Sequence, residues 1–202
     1  MKAIEILVKE HDSILKMIEI TETILHGNEA NINIDHVEQI IDFVRNFADK
    51  YHHLKEEDVL FMEMEKHGMS REFGPIAVML ADHNEGRNYI KLAVEGIGKF
   101  KLGDVSAFAQ IQENLLAYCT LLTNHIAKEN NILYPMSERI LPANVLSAMS
   151  DDFEKSNANT FENEYYDKYL KLIEEFSSIY LNKKNNIMKN NRIRIKNINI
   201  HS

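Results

Sequence analysis

Two stretches of this chain carry the same pair of possible metal ligands. Residues 125–134 read His125-Ile-Ala-Lys128-Glu129-Asn-Asn-Ile-Leu-Tyr134, and residues 52–61 read His52-His53-Leu-Lys55-Glu56-Glu57-Asp-Val-Leu-Phe61. Laid together without a gap, His52 falls on His125, Lys55 on Lys128, Glu56 on Glu129 and Phe61 on Tyr134. A His and a Glu four residues apart share one face of an α-helix, one turn from each other. An imidazole nitrogen and a carboxylate oxygen so placed can hold one side of a metal ion, and two copies suggest two halves of one site. The copy extends upstream. His11 lies 41 residues before His52 and His83 lies 42 before His125, and each follows an acid, Glu10 or Asp82. The candidate metal ligands are therefore His11, His52, Glu56, His83, His125 and Glu129.

Long helices must position them. Apolar Ile4, Leu7, Val8, Ile14, Leu15 and Ile18 recur at helical spacing with His11 on their stripe, giving a first helix over 3–25. Gly27-Asn28 breaks it. A second helix is expected from 35 to 67, with Asp35 as N-cap and Gly68 as its stop. Steps of 4, 8 and 11 back from His52 reach Ala48, Val44 and Ile41, whereas the same steps from His53 reach Asp49, Arg45 and Asp42. This phase turns His52 and Glu56 inward, and leaves His53 outward with Glu57 as a solvated charge. A third helix, 72–100, starts near Pro75 and surrounds His83 with Ile76, Met79, Leu80, Ile90 and Val94. Gly86, one turn from His83, leaves room for another helix to approach. A fourth, 104–140, sets Tyr118, Leu121 and Leu122 beside His125, with Pro135 placed to kink it. The expected fold is all-α: an antiparallel up-and-down four-helix bundle over residues 1–140, carrying further C-terminal helices. Helices over 143–155 and 160–181 form that extension (141–181), the second with Phe161, Tyr165, Tyr169, Leu172, Phe176 and Tyr180 in a stripe. Residues 182–202 form a polar tail with six basic and no acidic residues, to which no function is assigned.

Composition limits the alternatives. Hydrophobic residues make up 45% and charged residues 27%, which suits an ordinary soluble domain. Only three Pro and seven Gly favour helices over sheet. A net charge of −8 argues against nucleic acid as a partner. No apolar run reaches the roughly 18 residues that cross a bilayer, and acidic residues come too early for a signal peptide. The single Cys119 forms no internal disulfide, which suits the cytoplasm. No Gly-rich phosphate loop and no nucleophile motif is present. One His on an apolar face is usually a hydrogen-bonded core residue, and one His-x-x-x-Glu is usually a surface pair. Six such residues in a repeated pattern, each His on a buried stripe, are not accounted for that way. Left without a metal, they would be costly to bury. The remaining histidines, His26, His36, His67 and His201, sit at helix ends, in loops or in the tail. The nine Met residues read as core filler.

Four His and two bridging carboxylates suit a pair of iron ions, and manganese or zinc by ligand type. The quoted motifs, with Gly74-Pro-Ile-x-x-Met-Leu80, His83-x-x-Gly86-Arg87 and Pro135, resemble the hemerythrin-like HHE cation-binding domains over about residues 1–140. The resemblance implies a four-helix bundle around a non-haem di-iron centre bridged by carboxylates and an oxo or hydroxo group. Oxygen-carrying hemerythrins have a His four residues after the equivalent of His83, where this chain has Arg87, and end in His-x-x-x-x-Asp. The four-His, two-Glu pattern is more similar to iron-centre repair and iron-sensing members. It leaves each iron one ligand poorer and points away from simple oxygen carriage. The expected function is binding or sensing of O2, NO or peroxide. The alternatives are a peroxide- or NO-detoxifying enzyme, and an iron donor or store.

Overall fold

The structure, a computed structural model, describes residues 2–27, 32–158 and 160–182, with the side chains of 155–165 set apart. The expectations for Phe161, Tyr165, His201 and the tail beyond 182 lie outside the described residues. All regular structure among those residues is helical: α1 (Ala3–Leu25), α2 (34–66), α3 (Pro75–Lys101), α4 (107–140), α5 (Ala143–Ala158) and α6 (160–181). No helix is long and apolar enough to cross a membrane.

The ends of these helices follow local chemistry. Asn33, not Asp35, caps α2, its side chain accepting the Asp35 N–H at 3.0 Å. Gly68 stops α2 with φ +96°, a conformation only glycine adopts without strain. Pro75 sits in the first turn of α3, where its missing N–H costs nothing. The fourth helix begins at Ala107, three residues later than its sequence suggests.

Three helices depart from α geometry, at four places. Val44–His53 and Glu56–Leu60 in α2, Glu129–Leu133 in α4 and Ser177–Leu181 in α6 are π-helical, with N–H groups bonding back five residues. Glu56–Leu60 and Glu129–Leu133 occupy equivalent positions of the repeat. Phe61 bonds to Glu56 and Tyr134 to Glu129 in the same way. Pro135 favours the second of these turns, because it has no N–H to bond Asn131.

Each of the first four helices joins two apolar clusters. One holds Ile14–Leu25, Ile40–Ala48, Ile90–Ile97 and Phe108–Ile126 positions, and the other holds Ala3–Leu7, Leu60–Met64, Ile76–Met79 and Leu133–Tyr134 positions. Between the clusters lies one polar layer. His11 falls between Leu7 and Ile14, His52 and His53 between Ala48 and Leu60, His83 between Met79 and Ile90, and His125 between Leu122 and Leu133. The C-terminal helices join the same core. Tyr169, Ile173 and Phe176 enter the first cluster beside Phe43 and Phe47, and Met149 and Phe153 enter the second.

Candidate metal centre

The polar layer brings all six sequence-derived residues together. His11, His52, Glu56, His83, His125 and Glu129 are each at most 2% exposed. It also contains His53, which corrects the expectation that this residue faces outward. His53 is 5% exposed, and its ring stacks on His83 at 3.9 Å. The π-helical turns leading to it hold more residues per turn than the 3.6 of an α-helix. Phase counted at 3.6 therefore slips, and both adjacent histidines reach the interior. Glu57 is the second correction. Its side chain is 16% exposed and accepts from His83 Nδ1 and from Arg87 Nη2, both at 2.7 Å. It is a bound carboxylate, not a solvated one.

The ligand atoms fall into two groups that share Glu56: His11, His52, Glu56 and Glu129, and His53, Glu56, His83 and His125, with the atoms of each group within 4.8 Å of one another. The carboxylates stand between the two histidine pairs. Glu129 Oε2 is 3.2 Å from both His11 Nε2 and His125 Nε2. Glu56 Oε2 is 3.8 Å from His52 Nε2 and 3.5 Å from His83 Nε2.

Four of the five imidazoles are oriented from behind, in a pattern that follows the repeat. His52 Nδ1 donates to Glu10 (2.9 Å), and His125 Nδ1 to Asp82 (3.1 Å). Lys55 and Lys128 hold those two acids in turn. His83 Nδ1 donates to Glu57, and His11 Nδ1 donates to Asn130 Oδ1 at 2.8 Å. Asn130 is the repeat equivalent of Glu57. With Nδ1 protonated in each ring, every neutral imidazole presents an Nε2 lone pair inward.

Those lone pairs meet. His11 Nε2 and His52 Nε2 are 2.9 Å apart, and His83 Nε2 and His125 Nε2 are 3.0 Å apart. Neither nitrogen of a pair can donate to the other while both Nδ1 atoms carry the protons. Both His53 nitrogens, Glu56 Oε2 and both Glu129 oxygens are buried with no hydrogen bond, although His53 Nδ1 lies 3.4 Å from Asp49 Oδ1. Native proteins rarely leave such atoms unpaired. A cation at each group would satisfy them together, so the donor set fits a pair of metal ions.

The electrostatics point the same way. Burial would lower the His125 pKa, yet Glu129 and Asp82 raise it to about 10. Burial would raise the Glu129 carboxyl, yet His125 and His11 hold it far below the usual carboxylate range. Burial would lower His11 and His83 too, yet the carboxylates raise both, so positive charge is favoured at those three rings, whereas burial holds His52 well below the usual range. His53 is lowered as well: burial, and then the neighbouring His83, push it down to about 4, so the neutral ring keeps one nitrogen as a lone-pair donor.

Tyr134 breaks the twofold pattern. Its repeat equivalent is Phe61, but its hydroxyl donates to Glu56 Oε1 at 2.6 Å and lies 3.3 Å from His11 Nε2. Its ring stacks on His11 at 5.4 Å. The doubling of His52-His53 with Glu56-Glu57, each pair four apart, was a sequence signal for His53 and Glu57. Nothing in the residue types marks the π turns that decide it. Arg87 stands at the edge of the site, bonded to Asp49 at 2.9 Å and to Glu57. A cavity of about 300 Å3 ends on His53, His83 and His125.

Comparison with curated proteins and with solved structures returned no match. Comparison with family models matched the hemerythrin HHE cation binding domain over residues 2–137, a span that contains all seven histidine and glutamate donors. The chain therefore belongs to the hemerythrin HHE cation-binding family.

Proposed function

We infer that this chain is a non-haem di-iron protein that binds or senses O2, NO or peroxide. The observation that carries the reading is the convergence of lone-pair-bearing nitrogens and unpaired carboxylate oxygens in one buried layer. His11 and His52 would hold one ion, His53, His83 and His125 the other, with Glu56 and Glu129 between them. All-nitrogen and oxygen donors with shared carboxylates suit iron, and also admit manganese or zinc. Iron would supply the redox chemistry and the affinity for diatomic and peroxide ligands. The chain's own part is to fix each ring through its Nδ1 partner, and to keep bulk water out with an apolar cluster on either side. Five histidines restore the ligand that Arg87 does not provide. With His53 among the donors, Arg87 in place of a histidine no longer speaks against oxygen carriage.

The helices run alternately from one apolar cluster to the other, which supports an antiparallel up-and-down arrangement of α1–α4. On this reading residues 1–140 hold the centre, and 141–181 are an extension that closes its core. The lone buried thiol supports a cytoplasmic setting. A detoxifying enzyme is the second reading, favoured by the cavity that reaches the three-histidine end. The burial of every donor disfavours an iron donor or store.

Elemental analysis of protein produced with ample iron should give about two ions per chain, with an optical spectrum that changes on adding O2 or peroxide. Chelation should lower the melting temperature, because metal bound to the native state stabilises it by linkage. Well-folded protein holding at most one tight metal ion would rule out the dinuclear centre.

A further inference from the structure

The cavity at the three-histidine end is larger than a diatomic ligand needs. At about 300 Å3 it lies at the lower end of pockets that hold small organic molecules, roughly 300–1,000 Å3. Dioxygen, nitric oxide and hydrogen peroxide need a volume nearer that of one water, about 30 Å3. Its walls are apolar: Val44, Ile90, Leu121 and Leu122, with Val94, 39% exposed, among its outer residues.

One polar side chain that lines it is open to a ligand. Tyr118 is 5% exposed, and its hydroxyl makes no hydrogen bond among the described residues yet is not one of the fully buried unpaired atoms. A tyrosine hydroxyl so placed can donate to and accept from a group in the cavity. The inner charges are already matched: Asp49 and Glu57 by Arg87, and Asp82 by Lys128 and His125. The exposed charges among the lining residues, Arg45, Lys91 and Glu95, are of both signs. The chamber thus suits an uncharged ligand with an apolar body and one compact head that donates and accepts hydrogen bonds.

We propose that this chamber binds small organic hydroperoxides. The alkyl or aryl body lies along Val44, Ile90, Leu121 and Leu122, and the –OOH head meets the Tyr118 hydroxyl. The choice of a hydroperoxide over other hydroxyl-type heads rests on the di-iron reading. The chamber and its polarity do not.

The test uses the full chain, metal-free and loaded with redox-inert zinc, after its metal content has been measured. Cumyl alcohol and cumene hydroperoxide are titrated while the methyl resonances of Val44, Ile90, Leu121 and Leu122 are followed by NMR. Saturable shifts are expected in both forms, with the hydroperoxide bound at least as tightly as the alcohol in the zinc form. Val94→Trp, at a partly exposed position, should weaken both ligands by about tenfold or more by filling the cavity. Tyr118→Phe should weaken them about three- to tenfold through one lost hydrogen bond. Absent shifts, unchanged affinity in Val94→Trp, or tighter binding of benzoate than of cumyl alcohol would overturn the chamber assignment. Weaker binding of the hydroperoxide than of the alcohol would overturn the –OOH head. Saturable binding by protein that takes up no metal would overturn the metal reading and the hydroperoxide choice, while upholding the chamber.

Discussion

His53 and Glu57 show how one residue's role depends on what stands behind it. His53 offers a ring nitrogen to the layer, with its Nδ1 3.4 Å from Asp49, whereas Glu57 touches the layer only through His83. They should fail differently when altered. His53→Ala should empty the three-histidine end and leave about one metal ion per chain. Glu56→Ala removes the carboxylate shared by both groups and should lose at least one ion. Glu57→Ala should keep both ions at saturation but bind them roughly 10- to 100-fold more weakly, because His83 loses its orienting acceptor. Glu57→Gln retains an acceptor and should recover most of that loss. Metal content and chelator competition on the purified variants decide the matter. A Glu57→Ala protein that competes with chelator as the parent does would show that the contact to His83 is incidental.

Among elements, α3 and α4 form the most extensive helix pair, and small residues set how closely they approach. A Cβ added at Gly96 would stand 2.9 Å from Ile111 Cγ1 and 3.4 Å from the Ile111 backbone nitrogen, in a buried setting that cannot give way cheaply. A Cβ at Gly98, two residues on and also helical, meets nothing within 4 Å. Gly96→Ala should therefore destabilise the protein by about 1–3 kcal/mol through overpacking. Gly98→Ala should stabilise it by about 0.4–1 kcal/mol by restricting the unfolded chain. Denaturant unfolding of the two variants should move the midpoint in opposite directions. Midpoints that move the same way would mean the α3–α4 spacing is not set at Gly96.

Across the whole molecule, the family match ends near residue 137, but the core does not. Phe153, Tyr169 and Phe176 are at most 2% exposed and pack on residues of the first four helices. Burying each contributes about 1.5–3 kcal/mol, so together they approach the net stability of a domain, about 5–15 kcal/mol. A chain cut after Ile140 keeps every candidate ligand, yet should aggregate or lose cooperative unfolding. Light scattering and a thermal melt would show this. A monomeric fragment that melts like the full chain would show the C-terminal helices to be dispensable.

The sequence by itself determined the helical class, the apolar stripe of each helix and the six repeated candidate donors, because each rests on spacing within one element. His11, His52, His83 and His125 could be placed on buried stripes from 3.6-residue periodicity alone. Tertiary structure decided what periodicity could not. The π turns in α2 altered the phase at His53, and no residue type announced them. The roles of Glu57, Asn130 and Tyr134 come from partners 26, 119 and 78 residues away in the chain. A side chain's inward or outward turn follows from its own helix. What it bonds to once there depends on which other helices the fold brings beside it.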